Sequence, residues 1–171
     1  QALEKSPAHL RSSLALAQMK IGEKDLAGAE AVLAEAVRQD PHSTDALVAL
    51  GVFYAATGKP AEAEARFRQA LAADAKCAPA LLQLAALEVR QGKKQEAEQS
   101  YRQLSTLGLE EFQPALGIHY IQEGRLDEAI AEFERLAKAN HQDRAARSRL
   151  AAAYIAAHRI TDAERLLGDA L

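Results

Sequence analysis

Five alanines, Ala29, Ala63, Ala97, Ala129 and Ala163, stand 34, 34, 32 and 34 residues apart, and each brings the same neighbours with it. Thirteen residues before each is a leucine: Leu16, Leu50, Leu84, Leu116 and Leu150. The next residue is always small: Ala17, Gly51, Ala85, Gly117 and Ala151. Nine before the alanine a tyrosine stands in three of the five periods (Tyr54, Tyr120, Tyr154), with Lys20 and Glu88 in the others. Five before comes Gly58, Gly92 or Gly124, replaced elsewhere by Lys24 and His158. Four after, a large apolar residue recurs as Leu33, Phe67, Tyr101, Phe133 and Leu167. Self-similarity at one fixed period marks a stack of like units, each burying its apolar face against its neighbours.

A single period shows what the unit is. Between Thr44 and Lys76, Leu47, Leu50 and Tyr54 recur at the three- and four-residue steps of a helix. Gly58-Lys59-Pro60 then breaks the pattern, since glycine turns the backbone left-handed and proline is tolerated at the first position of a new helix. Ala63, Phe67, Ala70 and Leu71 form a second apolar stripe. The unit is a helical hairpin, with the small residue and the anchor alanine letting its two helices approach. The tyrosine and the later aromatic are expected to fill the space between hairpins.

Helices are expected at about 8–22 and 25–39, 44–57 and 60–74, 79–91 and 94–107, 110–123 and 126–139, and 143–157 and 161–171. Asp25 is a candidate cap, in a turn expected to be irregular because Gly22 comes two residues early. Gly108 is expected to end the sixth helix, Glu110 and Glu111 to complement the dipole of the seventh, and Pro114 to be tolerated in its first turn. The third-to-fourth junction lacks two residues, which predicts a tighter connection there.

These residues resemble the tetratricopeptide repeat, whose signature runs Leu-Gly-x-x-Tyr, then Gly, Ala, an aromatic, Ala and Pro over 34 residues. Leu50-Gly51-Val52-Phe53-Tyr54 and Leu116-Gly117-Ile118-His119-Tyr120 carry it most closely, while Leu47 and Leu81 stand where some members have tryptophan. The resemblance implies an all-α fold: a right-handed superhelical α-solenoid of about five repeats and about ten helices filling 1–171. The repeats fall at about 10–43, 44–77, 78–109, 110–143 and 144–171, with 1–9 in the phase of a preceding repeat's tail. Because the chain starts and stops in the same phase, an excised part of a longer array is expected.

Composition agrees and narrows the function classes. Hydrophobic residues are 49% of the chain but aromatics only 5%, which suits closely packed small-residue helices better than a barrel or sandwich. A net charge of −3 gives no strong field for nucleic acid or an anionic membrane, and no apolar run is long enough to span a bilayer. The single Cys77 has no basic cluster beside it in sequence and reads as a small residue between repeats. His119 with Glu123 and His158 with Asp162 have helical spacing, but zinc needs three or four converging ligands. Each histidine is read as solvated or capping, and no nucleophile triad or phosphate-cradling loop is found. Neither a catalytic residue, a metal nor a cofactor is expected. Glu62, Glu64, Glu96, Glu98, Glu128, Glu132 and Glu134, interleaved with Arg66, Arg68, Arg102 and Arg135, read as a solvated face with helix-supporting ion pairs.

The resemblance also implies that the first helices line a concave groove. Counting from the anchors, the residues expected there are Gln18, Val48, Val52, Ala55, Leu82, Ala86, Val89, Ile118, Ile121, Ala152 and Ile155, with Leu14, Ile21, Pro114 and Ser148 in the same rows. Arg90, Gln122 and Arg149 join them at the rim, beside Arg11, Asp45, Gln83 and Glu111. Such a row can accept an apolar helix or extended peptide, with the charged rim setting its register. The Lys–Asn pair with which some members clamp chaperone carboxylates is missing, its places being held by Leu14 with Gln18, Val48 with Val52, and Leu82 with Ala86.

The expectation is thus a non-enzymatic scaffold holding a protein or peptide partner, of the kind found in bacterial envelope, pilus, exopolysaccharide or secretion assemblies. Two other readings stand beside it. One is a structural spacer self-associating end to end through Leu166, Leu167 and Leu171 against Leu3, Leu10 and Leu14. The other is the recognition arm of an enzyme whose catalytic domain lies outside this chain. An RNA-reading helical repeat fits less well with a net acidic chain.

Overall fold

The computed structural model describes residues 7–168, which form ten helices and no strand. They are α1 (Pro7–Gly22), α2 (Leu26–Gln39), α3 (Thr44–Ala56), α4 (Pro60–Ala73), α5 (Ala78–Arg90), α6 (Lys94–Ser105), α7 (Ala115–Gln122), α8 (Leu126–Ala139), α9 (Arg144–Ala156) and α10 (Ile160–Gly168). The fold class is all-α, as the periodicity predicts. Contacts divide the chain into two compact units, 1–97 and 98–171, the division falling inside α6.

In the first unit α1 packs on α2 and α3 on α4, with α2 against α3 and α4 against α5. The small residue twelve before the anchor has a specific partner. A Cβ on Gly51 would sit 2.5 Å from Cε1 of Phe67, so the ring packs directly against the glycine of its own hairpin. Phe67 therefore fills the inside of the hairpin, not the space between hairpins as expected. Where the glycine is Ala17, the facing residue shrinks to Leu33, and both are buried. The anchors Ala29 and Ala63 are fully buried, which is what lets each second helix come this close.

The second unit repeats the device. A Cβ on Gly117 would lie 2.6 Å from Cε1 of Phe133. Here α7 packs on α8, α8 on α9 and α9 on α10. The first helix of this unit is short, however. It starts at Ala115 instead of about 110, so Glu110 and Glu111 lie in turns and Pro114 occupies the cap position. The reason is local. Pro114 has no N–H to give the Glu110 carbonyl, its ring crowds that carbonyl, and it disfavours helical Gln113. Successive turns replace the helix, closed by Phe112 N–H to Leu109 O at 3.0 Å and Ala115 N–H to Phe112 O at 3.0 Å. The missing residues thus shorten helices and leave a nine-residue connection, 106–114, where a tighter one was expected. Likewise α6 ends at Ser105, and Gly108 lies beyond it as a separate left-handed turn with φ +80°.

All five hairpin turns share one geometry. The N–H four residues before the anchor reaches back to the carbonyl nine before it, in Asp25 to Lys20, Lys59 to Tyr54, Lys93 to Glu88, Arg125 to Tyr120 and Arg159 to Tyr154, at 2.8–2.9 Å. This six-to-one bond requires a left-handed residue in the turn. Gly58, Gly92 and Gly124 supply it with φ of 73–77°. Lys24 and His158 adopt the same conformation with φ of 63° and 58° in spite of their side chains. The first turn is therefore regular, and Gly22 is not its pivot. Asp25 caps α2 as expected, accepting from Gly28 N–H at 2.8 Å. Ser43 and Asp143 do the same for α3 and α9, from Ala46 and Ala146.

Candidate functional site

The residues expected on the ligand-facing row are, with the exception of Pro114, at least partly accessible. In the first unit Gln18 on α1, Val52 on α3, and Val89 and Arg90 on α5 are exposed, while Val48, Ala55, Leu82 and Ala86 are half-buried. In the second, Ile118, Ile121 and Gln122 on α7 and Ala152 and Ile155 on α9 are exposed, and Arg149 is half-buried. Pro114, placed in the same row by spacing, is buried at the start of α7 and does not belong to it. Branched aliphatic side chains thus stand in water on the first helix of successive hairpins, although the hairpin cores are filled without them.

Within the first unit a groove of about 620 Å³ runs between α1 and α3, with α2 closing it. Gln18 and Val52 line it together with Leu14, Ile21 and Ala49. Spacing foresaw the first four but not Ala49, Phe53, Ala56 or Thr57, which also line it. The signal was available: α3 carries alanine at 49 and 56 where α5 carries Gln83 and Arg90. Every lining side chain is uncharged. Thr57 Oγ1 donates to the Phe53 carbonyl at 2.9 Å and can still accept, so the Gln18 amide and the Thr57 hydroxyl are the polar side chains of the lining.

The charged residues form a ladder joining successive hairpins. Glu30 accepts from Lys59 Nζ at 2.8 Å, Glu64 from Lys93 Nζ at 2.8 Å, and Glu98 from Arg125 at 2.7 Å. Each glutamate follows an anchor alanine and each cation precedes the next anchor by four. Glu64 and Glu98 were expected to serve their own helices; they do so through Arg68 and Arg102, but also hold the next hairpin. The cations lie over the preceding tyrosines as well, Lys59 on Tyr54, Arg125 on Tyr120 and Arg159 on Tyr154, at 4.5–5.2 Å from the ring centres. Arg125, together with hydrogen bonds from Tyr120 and Arg102, lowers the Glu98 carboxyl to about 2. Burial, with the neighbouring Glu134 carboxylate, pushes the Tyr154 phenol up to about 12. Ile130 takes the glutamate's place in the fourth period, and the rung is absent there.

His119 departs from its expected solvated role. It is buried and stacks on Tyr101, ring centres 4.8 Å apart. Cys77 is also buried, at the cap position of α5. Among the described residues no three His, Cys, Asp or Glu side chains converge on a metal-sized site, and no helix is long and apolar enough to cross a membrane. Leu3 and Leu171, two of the expected self-association contacts, lie outside the described residues.

No curated protein matches the chain. Its architecture is similar to that of several solved structures. MamA protein superposes with a TM-score of 0.63 at 21% identity, over 97% of this chain and 92% of that one. PilF of Pseudomonas aeruginosa gives 0.64 at 22%, over 93% and 73%. A thermophilic TPR protein of Thermus thermophilus gives 0.63 at 24%, over 90% and 86%. At such identities the likeness shows the α-solenoid fold alone. One tetratricopeptide repeat profile matches residues 20–66 and 120–171, and a second matches 48–107. With the glycine–aromatic cores, the common turn and these matches in agreement, the chain belongs to the tetratricopeptide repeat family, whose hairpins serve as scaffolds for protein–protein interaction.

Proposed function

We propose that this chain is a non-enzymatic scaffold that holds a peptide or helix of a protein partner against the apolar face of its first helices. The observation that carries the reading is the exposure of Val52, Val89, Ile118, Ile121 and Ile155 at equivalent places of successive hairpins. An aliphatic side chain gains free energy on leaving water, about 25 cal/mol for each Å² covered, so a row of them is an unsatisfied surface. The groove between α1 and α3 suits a bulky uncharged anchor residue, because nothing in its lining would neutralise a buried charge. Exposed Arg90, Gln122 and the half-buried Arg149 set the register of the partner around such anchors.

The alanine-rich hairpins and the likeness to bacterial solved structures favour a place within a bacterial assembly protein of the envelope, pilus, exopolysaccharide or secretion kind. Capture of partners by the parent chain is to be compared with capture by Val52→Arg and Ile118→Arg. Both side chains are exposed, so both variants are expected to keep the parent's circular dichroism and melting temperature. A partner held by the parent and lost by either variant supports the reading; equal capture by all three chains moves the binding surface elsewhere.

A further inference from the structure

The arginines of the second helices all have a partner in the fold. Arg68 holds Glu64, Arg102 holds Glu98, Arg135 holds Glu132 and Arg165 holds Asp162, at 2.6–2.9 Å. Arg38 pairs with Glu35, and Arg66 donates to Gln69. On the first helices the balance is reversed. Arg90 on α5 and Arg144, Arg147 and Arg149 on α9 have no carboxylate within ion-pair distance among the described residues. Exposed acids are scarce there too. The helices α1, α7 and α9 contain none, Glu88 of α5 is 2% exposed, and Asp45 in the first turn of α3 is the one that meets water. A net charge of −3 therefore conceals first helices whose exposed charge is positive.

Two of these arginines stand at groove positions. Ala56 and Ala49, seven and fourteen before their anchor, line the groove between α1 and α3. Arg90 takes the first of these places on α5, and Arg149 takes the second on α9. Each shares its helix with an exposed aliphatic side chain, Val89 at 38% or Ile155 at 53%. The macrodipole accounts for Arg90, which lies in the last turn of α5. It does not account for α9. There Arg144 and Arg147 stand at the positive end of the helix, and no acid occupies the first turn, whereas α3, α4, α6, α8 and α10 each place one there. The neighbouring Asp143 carboxylate is engaged in capping, accepting from Ala146 N–H at 3.0 Å.

We infer that the segment held on the first-helix face is acidic, placing a carboxylate on Arg90 in the first unit and on Arg149 in the second, beside apolar side chains that cover the exposed aliphatics. This rests on the reading that the face binds a peptide or helix, and it adds the partner's charge. A guanidinium with no partner in the fold is free to take a carboxylate through two parallel hydrogen bonds. An acidic peptide suits the face better than a nucleic acid, because Val89, Ile118 and Ile155 offer no aromatic plane on which a base would stack.

The test selects a random peptide library, displayed on phage, against the full chain and against the double variant Arg90→Glu with Arg149→Glu. Neither side chain has an ion pair to lose, so the variant is expected to fold, which circular dichroism checks. The milder Arg90→Gln with Arg149→Gln stands beside it. Peptides selected by the parent should be rich in Asp and Glu interspersed with bulky uncharged residues. By fluorescence anisotropy they should bind the Glu variant about tenfold or more weakly, and the parent less well as salt is raised. The Glu variant should itself select lysine- and arginine-rich peptides. Selected peptides that are apolar without a charge bias, and that Val52→Arg fails to bind, would overturn the inference and leave the binding face in place. Peptides bound alike by the parent, Val52→Arg and Ile118→Arg would remove that face as well, as would a library that yields no binder. An acidic bias that survives both arginine substitutions overturns the inference, and so does single-stranded oligothymidine that binds more tightly than the selected peptides.

Discussion

The hairpins α3–α4 and α7–α8 are built on the same interior and differ at one edge. Each lays a phenylalanine, Phe67 or Phe133, over a glycine, Gly51 or Gly117, and buries an anchor alanine beside it. Yet α3 has 13 residues and α7 has 8. Pro114 and the loss of two residues take away the start of α7 without disturbing the ring, the glycine or the turn at Gly124. The information for the hairpin therefore lies in the stretch from thirteen before the anchor to four after it. The first turns of each leading helix are free to vary.

The sharpest way to break this comparison is to fill the shared glycine. Gly51→Leu and Gly117→Leu should each destabilise the chain by about 3 kcal/mol or more, because the ring opposite has no room to retreat. Chemical denaturation should find the two costs similar, in spite of the different helix lengths. Unequal costs would mean that the length of α7 matters to its core.

Next in size are the turns. Lys24→Gly and His158→Gly should each stabilise by about 1 kcal/mol, since both residues are held at positive φ, and Gly58→Ala should cost a similar amount. Thermal melts check the signs, which would reverse if either side chain made compensating contacts.

Acid should separate the two hairpins differently. Glu98 ties α6 to Arg125 at the start of α8, and its folded carboxyl is lowered to about 2. A depressed folded value contributes stability above the unfolded value of about 4.5 and loses it as pH falls toward 2. Glu98→Gln should therefore flatten the stability profile between about pH 5 and pH 2 and lower stability at neutral pH. Glu30 and Glu64, lowered by Lys59 and Lys93, should show the same sign in the first unit.

The smallest expected effect sharpens the edge itself. Pro114→Ala restores an N–H for the Glu110 carbonyl and should extend α7 toward residue 110, at a gain of less than about 1 kcal/mol. Hydrogen exchange should find the amide that the substitution creates at residue 114 protected, and fast exchange there would place the cause in the missing residues instead.

Much of this was legible in the sequence because a repeat samples each position five times. Leu50, Gly51, Gly58 and Ala63 name one another's roles through their equivalents, so helices and most turns followed from counting, while Phe67, expected between hairpins, lies against Gly51 inside its own. What periodicity concealed was whatever differs between periods. The turn at Lys24 was expected to be irregular, yet the left-handed conformation that its backbone bond requires is adopted by Lys24, and by His158, without glycine. His119 looked solvated because its partner, Tyr101, is eighteen residues away in a neighbouring hairpin. The ladder from Glu30 to Arg125 crosses hairpins at spacings of 29 and 27 residues, outside any single helix. The groove depends on two alanines, Ala49 and Ala56, whose smallness has meaning only against α1.

The central claim is that the interior positions make the hairpins and the first-helix face binds. Site-specific photo-crosslinking tests it most directly, with the reactive side chain placed at residues 52 and 118 and, as matched exposed controls on second helices, at residues 65 and 131. A partner crosslinked from 52 and 118 and not from 65 and 131 is the result predicted here. Crosslinks of equal yield from all four positions, or from 65 and 131 alone, would contradict it.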